Sequence, residues 1–214
     1  MKLTWLTACP IAHRGLHDDT RPENSLAAFR AAIEIGYPIE LDVHMTRESE
    51  IVVVHDENLK RVTGADVKIS DCSPQLWHSL TLCGTQEHIP TLQEVLDLVA
   101  GRVGLVIEIK KDACRRIGDL ERILIRQLRS YNGPFVIKSF DPFVVRYMRR
   151  HAPEMTVGQL SYDFSDKKGH WILKFFMRNV RVAAFNHAQF ISYGVHSLPN
   201  RAVARLRQKG LPVL

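Results

Sequence analysis

At 214 residues the chain is long enough for one domain with a large core, and 45% hydrophobic against 24% charged residues is ordinary for a globular protein. A formal net charge of +6 suits an anionic substrate, while the lack of a dense Lys/Arg block with interleaved aromatics argues against nucleic acid. No run of about 18 apolar residues marks a membrane span.

Pro10 to Arg14 reads as a short buried strand ending in His13 and Arg14. The stretch before it holds one lysine and too few apolar residues for a signal peptide and its cleavage site. Cys9, Cys72, Cys83 and Cys114 show neither CxxC pairing nor zinc-ligand spacing, so a reduced, cytoplasmic setting is expected. Glu23 to Gly36 is predicted helical, with Leu26, Phe29, Ala32 and Ile33 on one face and Gly36 as its stop.

The next strand, Pro38 to Val43, runs through Met45 into a polar turn and returns as Ile51 to His55, an antiparallel hairpin. Folding back near residues 48–49 sets Asp42 roughly opposite His55. Alternation puts Glu40, Asp42 and His44 on one strand face. Glu57 to His88 is irregular and turn-rich, and segment 57–90 reads as an insertion or lid within a single domain spanning 1–214. Thr91 to Ala100 is a helix with Thr91 and Glu94 spaced as a capping box.

Gly101 to Lys110 is a strand, and Ala113 to Ser130 a charged helix on which Arg115, Arg116, Arg122, Arg126 and Arg129 read as a solvated face. Strands follow at Phe135–Ser139, Thr156–Leu160 and Gln189–Tyr193, with helices at Pro142–His151, Lys167–Ala184 and Asn200–Lys209. Leu211 to Leu214 begins another strand. With the hairpin return counted as loop, there are six strands and the start of a seventh.

Apolar strands that alternate with helices and finish in ionisable groups describe an α/β barrel enzyme, whose chemistry sits at the C-terminal strand ends. Glu40, Asp42 and Glu108 are three carboxylates at neighbouring strand ends, suited to one hard cation such as Mg2+ or Ca2+. Zinc is not expected, since no cysteine or clustered histidine set accompanies them. His13 and His55 are the candidate acid/base pair, with His44 as a near-site neighbour. Arg14 and Lys110 would clamp a phosphate. Gln159 and Tyr193 end later strands and are candidates for contact with the rest of a substrate. Together these residues suit metal-assisted attack on a phosphate ester.

His13-Arg14-Gly15, Pro22-Glu23-Asn24-Ser25, Glu40-Leu41-Asp42-Val43, His55-Asp56, Ile89-Pro90-Thr91-Leu92 and Ile107-Glu108-Ile109-Lys110 form an ordered series. Ser139-Phe140-Asp141 and Gly158-Gln159-Leu160 extend it. The series resembles the glycerophosphodiester phosphodiesterases. That resemblance implies a TIM (β/α)8-type barrel of the phospholipase C-like phosphodiesterase kind. It also implies hydrolysis of a glycerophosphodiester to sn-glycerol 3-phosphate and an alcohol, and attack by the neighbouring glycerol hydroxyl through a cyclic intermediate. It places Glu23 near the metal and Asn24 near the site.

The family normally continues with a tryptophan-bearing strand end, a helix and an eighth strand. The barrel is therefore expected to be truncated in strand seven, as a fragment or a natural truncation, with an open edge that invites pairing between copies. Two other readings stand beside hydrolysis of glycerophosphodiesters: a phospholipase D-like activity on lysophospholipids, and a catalytically impaired barrel acting as a binding module.

Overall fold

The structure, a computed structural model, describes residues 3–111, 115–165 and 171–214. Backbone contacts divide the chain into two units, Met1–Phe135 and Val136–Leu214.

The first unit is organised around the strand with the most unusual pattern. Strands β1 (Ala12–His13), β2 (Ile39–Met45) and β4 (Leu105–Ile109) are parallel, with β2 in the middle, and β3 (Ile51–Val53) folds back antiparallel on β2. Every residue of β2 is buried, although its sequence alternates Ile-Glu-Leu-Asp-Val-His-Met. A parallel strand buried on both faces ordinarily reads as a continuous apolar run. Here the face carrying Ile39, Leu41, Val43 and Met45 belongs to the core, and the opposite face carries Glu40, Asp42 and His44 out of water. That second face is where the chemistry gathers.

A short helix, Trp5–Ala8, precedes β1, and the helix after β1 is Leu26–Ile35, shorter at its start than predicted. Ser25 caps it by accepting the Ala28 N–H, and Gly36 ends it at φ +81°. Pro22 to Asn24 stay outside it as a turn, with Asn24 at φ +57°. Gly15, at φ +82°, has no room for a side chain: a Cβ there would lie 2.8 Å from that of Ala28. Helix Leu92–Val99 carries the expected capping box between Thr91 and Glu94. Helix Asp119–Arg129 follows β4; its predicted start at Ala113, like Cys114, lies outside the described residues. On its approach Arg115 departs from the solvated reading, because its guanidinium donates to the carbonyls of Met45 and Thr46.

The hairpin forms, one residue out of the expected register. Val43 pairs with Val53, and the Val54 N–H donates to the Asp42 carbonyl at 3.0 Å, so Asp42 faces Val54 rather than His55. The turn is longer than a minimal one: Thr46 and Glu50 close it, with Ser49 at φ +68° inside. Segment 57–90 is irregular along the chain yet well packed. Leu59, Val62, Ile69, Cys72, Trp77, Leu82 and Ile89 form one cluster with Val52 and Val54 of the hairpin return.

In the second unit β5 (Phe135–Ser139), β6 (Val157–Ser161) and β7 (Ile191–Tyr193) are parallel in that order. Val213 makes a parallel bridge to Ile191, the start of the further strand expected from Leu211 onward. Phe190 fills the space over Gly158, where a Cβ would come within 2.4 Å of its ring. Helices lie at Pro142–His151 and Arg201–Gln208. The single predicted helix from Lys167 is instead two, Trp171–Arg178 and Val182–Asn186, broken where Val180 takes φ +52°; residues 167–170 of that expectation lie outside the described residues. Among the described residues no helix is long and apolar enough to cross a membrane.

Candidate active site

Register alone assembles the acidic centre. Asp42 pairs with Glu108 across β2 and β4, and His13 pairs with Glu40 across β1 and β2. With Glu40 and Asp42 on one face of β2, the carboxylates of Glu40, Asp42 and Glu108 offer oxygens within 4.8 Å of one another, all buried. Lys110, at the end of β4, lays its Nζ 2.6 Å from Glu108 and 3.0 Å from Asp42.

Arg14 has a left-handed backbone, φ +58°, and turns back over the trio. Its N–H donates to Glu40 at 3.2 Å, its Nε lies 3.5 Å from Asp42, and one terminal nitrogen donates to Glu23 at 3.0 Å. Asn24 completes the support: its amide donates to the Asp42 carboxylate at 3.0 Å and its own N–H to the Arg14 carbonyl. Burial pushes the Asp42 carboxyl up, but Lys110, Asn24 and His55 together hold it below its ordinary value.

Glu23, expected as a metal ligand, is not in the trio. Its carboxylate is held by Arg14 and by both terminal nitrogens of Arg61, at 2.6 and 3.0 Å. Burial raises the Glu23 carboxyl less than the two guanidiniums lower it. Arg61 also donates through Nε to Asp56 at 2.5 Å, and Asp56 in turn accepts from His55 Nδ1 at 2.6 Å. The Asp56 carboxyl, raised by burial, ends below its ordinary value through Arg61 and His55. The Arg61 guanidinium is pushed up by its two carboxylates. A continuous chain of charge pairs thus runs His55–Asp56–Arg61–Glu23–Arg14–Asp42. Lys60–Thr63, the short helix that carries Arg61, belongs to the 57–90 segment.

The two histidines differ. The His13 side chain is 66% exposed, with Nε2 3.9 Å from Glu40, whereas His55 is half-buried and carboxylate-bound. His44 is buried and its Nε2 contacts the His55 carbonyl at 3.1 Å, fixing the backbone that presents His55. Gln159 and Tyr193 belong to the second unit, and their polar atoms are engaged there. The Gln159 amide donates to the carbonyls of Ser139, Phe140 and Leu160 and accepts from Asn186. The Tyr193 hydroxyl donates to the Arg178 carbonyl and accepts from Asn200. Both departures from a substrate-facing role have one cause: a buried polar side chain must be satisfied, and nearby backbone supplies the partners.

In the sequence alone Asp56 is assigned no role of its own and Arg61 is not singled out. Asp56 had a signal, adjacency to a candidate histidine. Arg61 had none, since it sits in a stretch without periodicity.

A family model described as the Glycerophosphoryl diester phosphodiesterase family matches residues 13–214. A glycerophosphodiester phosphodiesterase of Caldanaerobacter subterraneus subsp. tengcongensis is 36% identical over 161 residues, 70% of this chain and 65% of that protein. Human lysophospholipase D GDPD1 is 33% identical over 171 residues, 73% of this chain and 46% of that protein. The chain therefore spans less than two thirds of the length of these relatives. Among solved structures, an Oleispira antarctica phosphodiesterase in complex with the product sn-glycerol-3-phosphate superimposes with a TM-score of 0.81 at 22% identity, covering 98% of this chain and 85% of that one. This likeness puts the fold in the α/β-barrel class.

Proposed function

The chain belongs to the glycerophosphoryl diester phosphodiesterase family, and from that premise we propose that it hydrolyses glycerophosphodiesters to sn-glycerol 3-phosphate and an alcohol with the aid of one divalent cation. The observation that carries this reading is the buried trio Glu40, Asp42 and Glu108 beside a carboxylate-paired histidine. Three carboxylates in close quarters out of water repel one another strongly, and beside Lys110 and Arg14 a divalent cation would offset that repulsion. Their hard oxygens fit Mg2+ or Ca2+. When bound, such an ion supplies positive charge to the phosphate oxygens and the attacking hydroxyl.

The chain's own residues do the rest. Asp56 at Nδ1 orients the His55 ring so that Nε2 accepts the proton of the attacking hydroxyl. His13, exposed and next to Glu40, delivers a proton to the leaving alkoxide. Lys110 and Arg14 keep the floor of the site positive, and Arg14 is locked there by Glu23 and Asp42. Asn24 restrains the Asp42 carboxylate in one orientation. The unpaired Cys9, Cys72 and Cys83 support a reducing, cytoplasmic setting.

Release of choline from glycerophosphocholine, followed with and without chelator, tests the reading. Turnover that survives complete chelation would remove the cation from it. The human relative, a lysophospholipase D, favours a second substrate class for the same residues. Assay of lysophosphatidylcholine in parallel separates the two by their ratio of kcat/KM.

A further inference from the structure

The second unit carries a surface that the proposed hydrolysis leaves unused. Among the described residues, nine of the twelve exposed large hydrophobic side chains lie beyond residue 135. Four of them sit on helix Trp171–Arg178: Trp171 at 72% exposure, Ile172, Phe175 and Phe176. Positions i, i+1, i+4 and i+5 share one helix face. Phe143 and Phe185, in edge contact at 5.6 Å, continue the surface. Between them and the helix lies a groove of about 490 Å³, lined by Pro142, Phe143, Ile172, Phe176, Val182 and Phe185 with Arg181 as the single charged residue.

Charge accompanies this apolar face. Residues 136–214 hold 13 Lys and Arg against 4 Asp and Glu, a formal net charge of +9, whereas residues 1–135 hold 16 against 19, a net charge of −3. The basic groups stand among the rings: the Arg146 guanidinium lies 4.3 Å over Phe185 and that of Arg181 5.0 Å over Phe175. Lys174 and Arg178 line a second groove with Trp171, Phe175, Phe164 and Asp163. A folded protein rarely leaves so many large apolar side chains together in water without a partner.

We propose that this face docks on an anionic lipid bilayer, with Trp171, Ile172, Phe175 and Phe176 entering the headgroup boundary and Arg146, Lys174, Arg178 and Arg181 meeting lipid phosphates. A short helix with Trp and Phe on one side and Lys and Arg beside them has the composition of an interfacial helix. Indole prefers the boundary between water and hydrocarbon. Charge complementarity selects the occupant: a second copy would set one basic face against another, whereas an anionic leaflet attracts each basic group by about fivefold in partitioning. Single-stranded nucleic acid would find charge and rings, but the Ile172- and Val182-lined groove has almost nothing polar to meet base edges.

The inference rests on the unit's own surface and not on the proposed chemistry, so its failure would leave the hydrolase reading untouched. The whole chain is mixed with phosphatidylcholine vesicles, with or without phosphatidylglycerol, and bound protein is measured by sedimentation. Binding to the anionic vesicles alone is expected, with Trp171 emission shifting to the blue and quenched by brominated lipid. Lys174→Glu with Arg178→Glu should weaken binding by at least about 25-fold. Trp171→Glu with Phe176→Glu should abolish it while leaving the soluble protein's circular dichroism unchanged. Trp171→Phe should silence the fluorescence change and keep the binding. The proposal falls if the wild type ignores anionic vesicles, or if the charge and aromatic variants bind as it does. It falls equally if a dimer or an oligonucleotide covers Trp171 and vesicles fail to displace it.

Discussion

The two units treat ionisable groups in opposite ways. In residues 1–135 acids slightly outnumber bases, and the acids that matter are buried, ringed by Lys110, Arg14, Arg61 and Asn24 so that nearly every charge has an assigned partner. In residues 136–214 bases outnumber acids threefold, Lys138 is buried while most other described charges lie at the surface, and the buried amides Gln159 and Asn186 satisfy each other and the local backbone. Buried carboxylates tolerate little rearrangement, because losing one partner strands a charge out of water. Surface arginines tolerate much. The first unit therefore concentrates its buried charge at one place, and the second carries most of its described charge and its exposed apolar side chains at the surface.

If that contrast is sound, substitutions of equal chemical size should have unequal effects. The largest are expected at the histidines: His55→Ala and His13→Ala should each lower kcat by about 10²–10⁴-fold with little change in KM. Near-normal turnover on glycerophosphocholine in either variant would remove that histidine from the mechanism. Next, Glu40→Ala should lose calorimetric binding of Mg2+ or Ca2+ and with it turnover, whereas Glu23→Gln should keep the ion. Equal ion affinity in wild type and Glu40→Ala would sink the trio as the ion's site.

Smaller changes test the chain of charges behind His55. Asp56→Asn should reduce kcat by about 10–100-fold, as loss of an orienting carboxylate does. Arg61, half exposed, should cost no more than about fivefold per ion pair when changed to Ala. A loss at Arg61 as large as that at His55 would make it a direct participant rather than a brace. In the second unit Gly158→Ala drives a methyl group into Phe190 and should lower stability by about 1–3 kcal/mol, with ion affinity of the folded protein unchanged.

The smallest expected effect is one of pH. Glu23 and Asp56 are held below their ordinary values in the folded state. Their contribution is therefore complete above about pH 4, the range of free carboxylates, and fades as pH falls through the lowered folded-state values. Thermal melting followed between neutral pH and acid should show Tm falling below that point in wild type. In Arg61→Ala, where both carboxylates lose a partner, the fall should be shallower.

Local pattern determined a good deal of this protein. The alternation Ile39 to Met45 put Glu40 and Asp42 on one face, Thr91 and Glu94 announced their capping box, and the recurrence of acids and bases at strand ends pointed to the carboxylates that meet in the candidate site. Such features are legible because a strand repeats every two residues and a cap spans three. The register that faces Asp42 with Val54 depended on a turn closed by Thr46 and Glu50, which no alternation encodes. One expected helix is split at Val180, and Trp171 and Phe176 stand exposed on its first part. Asn24 on Asp42, Arg61 between Glu23 and Asp56, and Gln159 turned to its own backbone were decided by tertiary structure alone. Each joins groups brought together only by folding, and each was chosen by the same force: a polar group leaving water takes the nearest partner that can replace it.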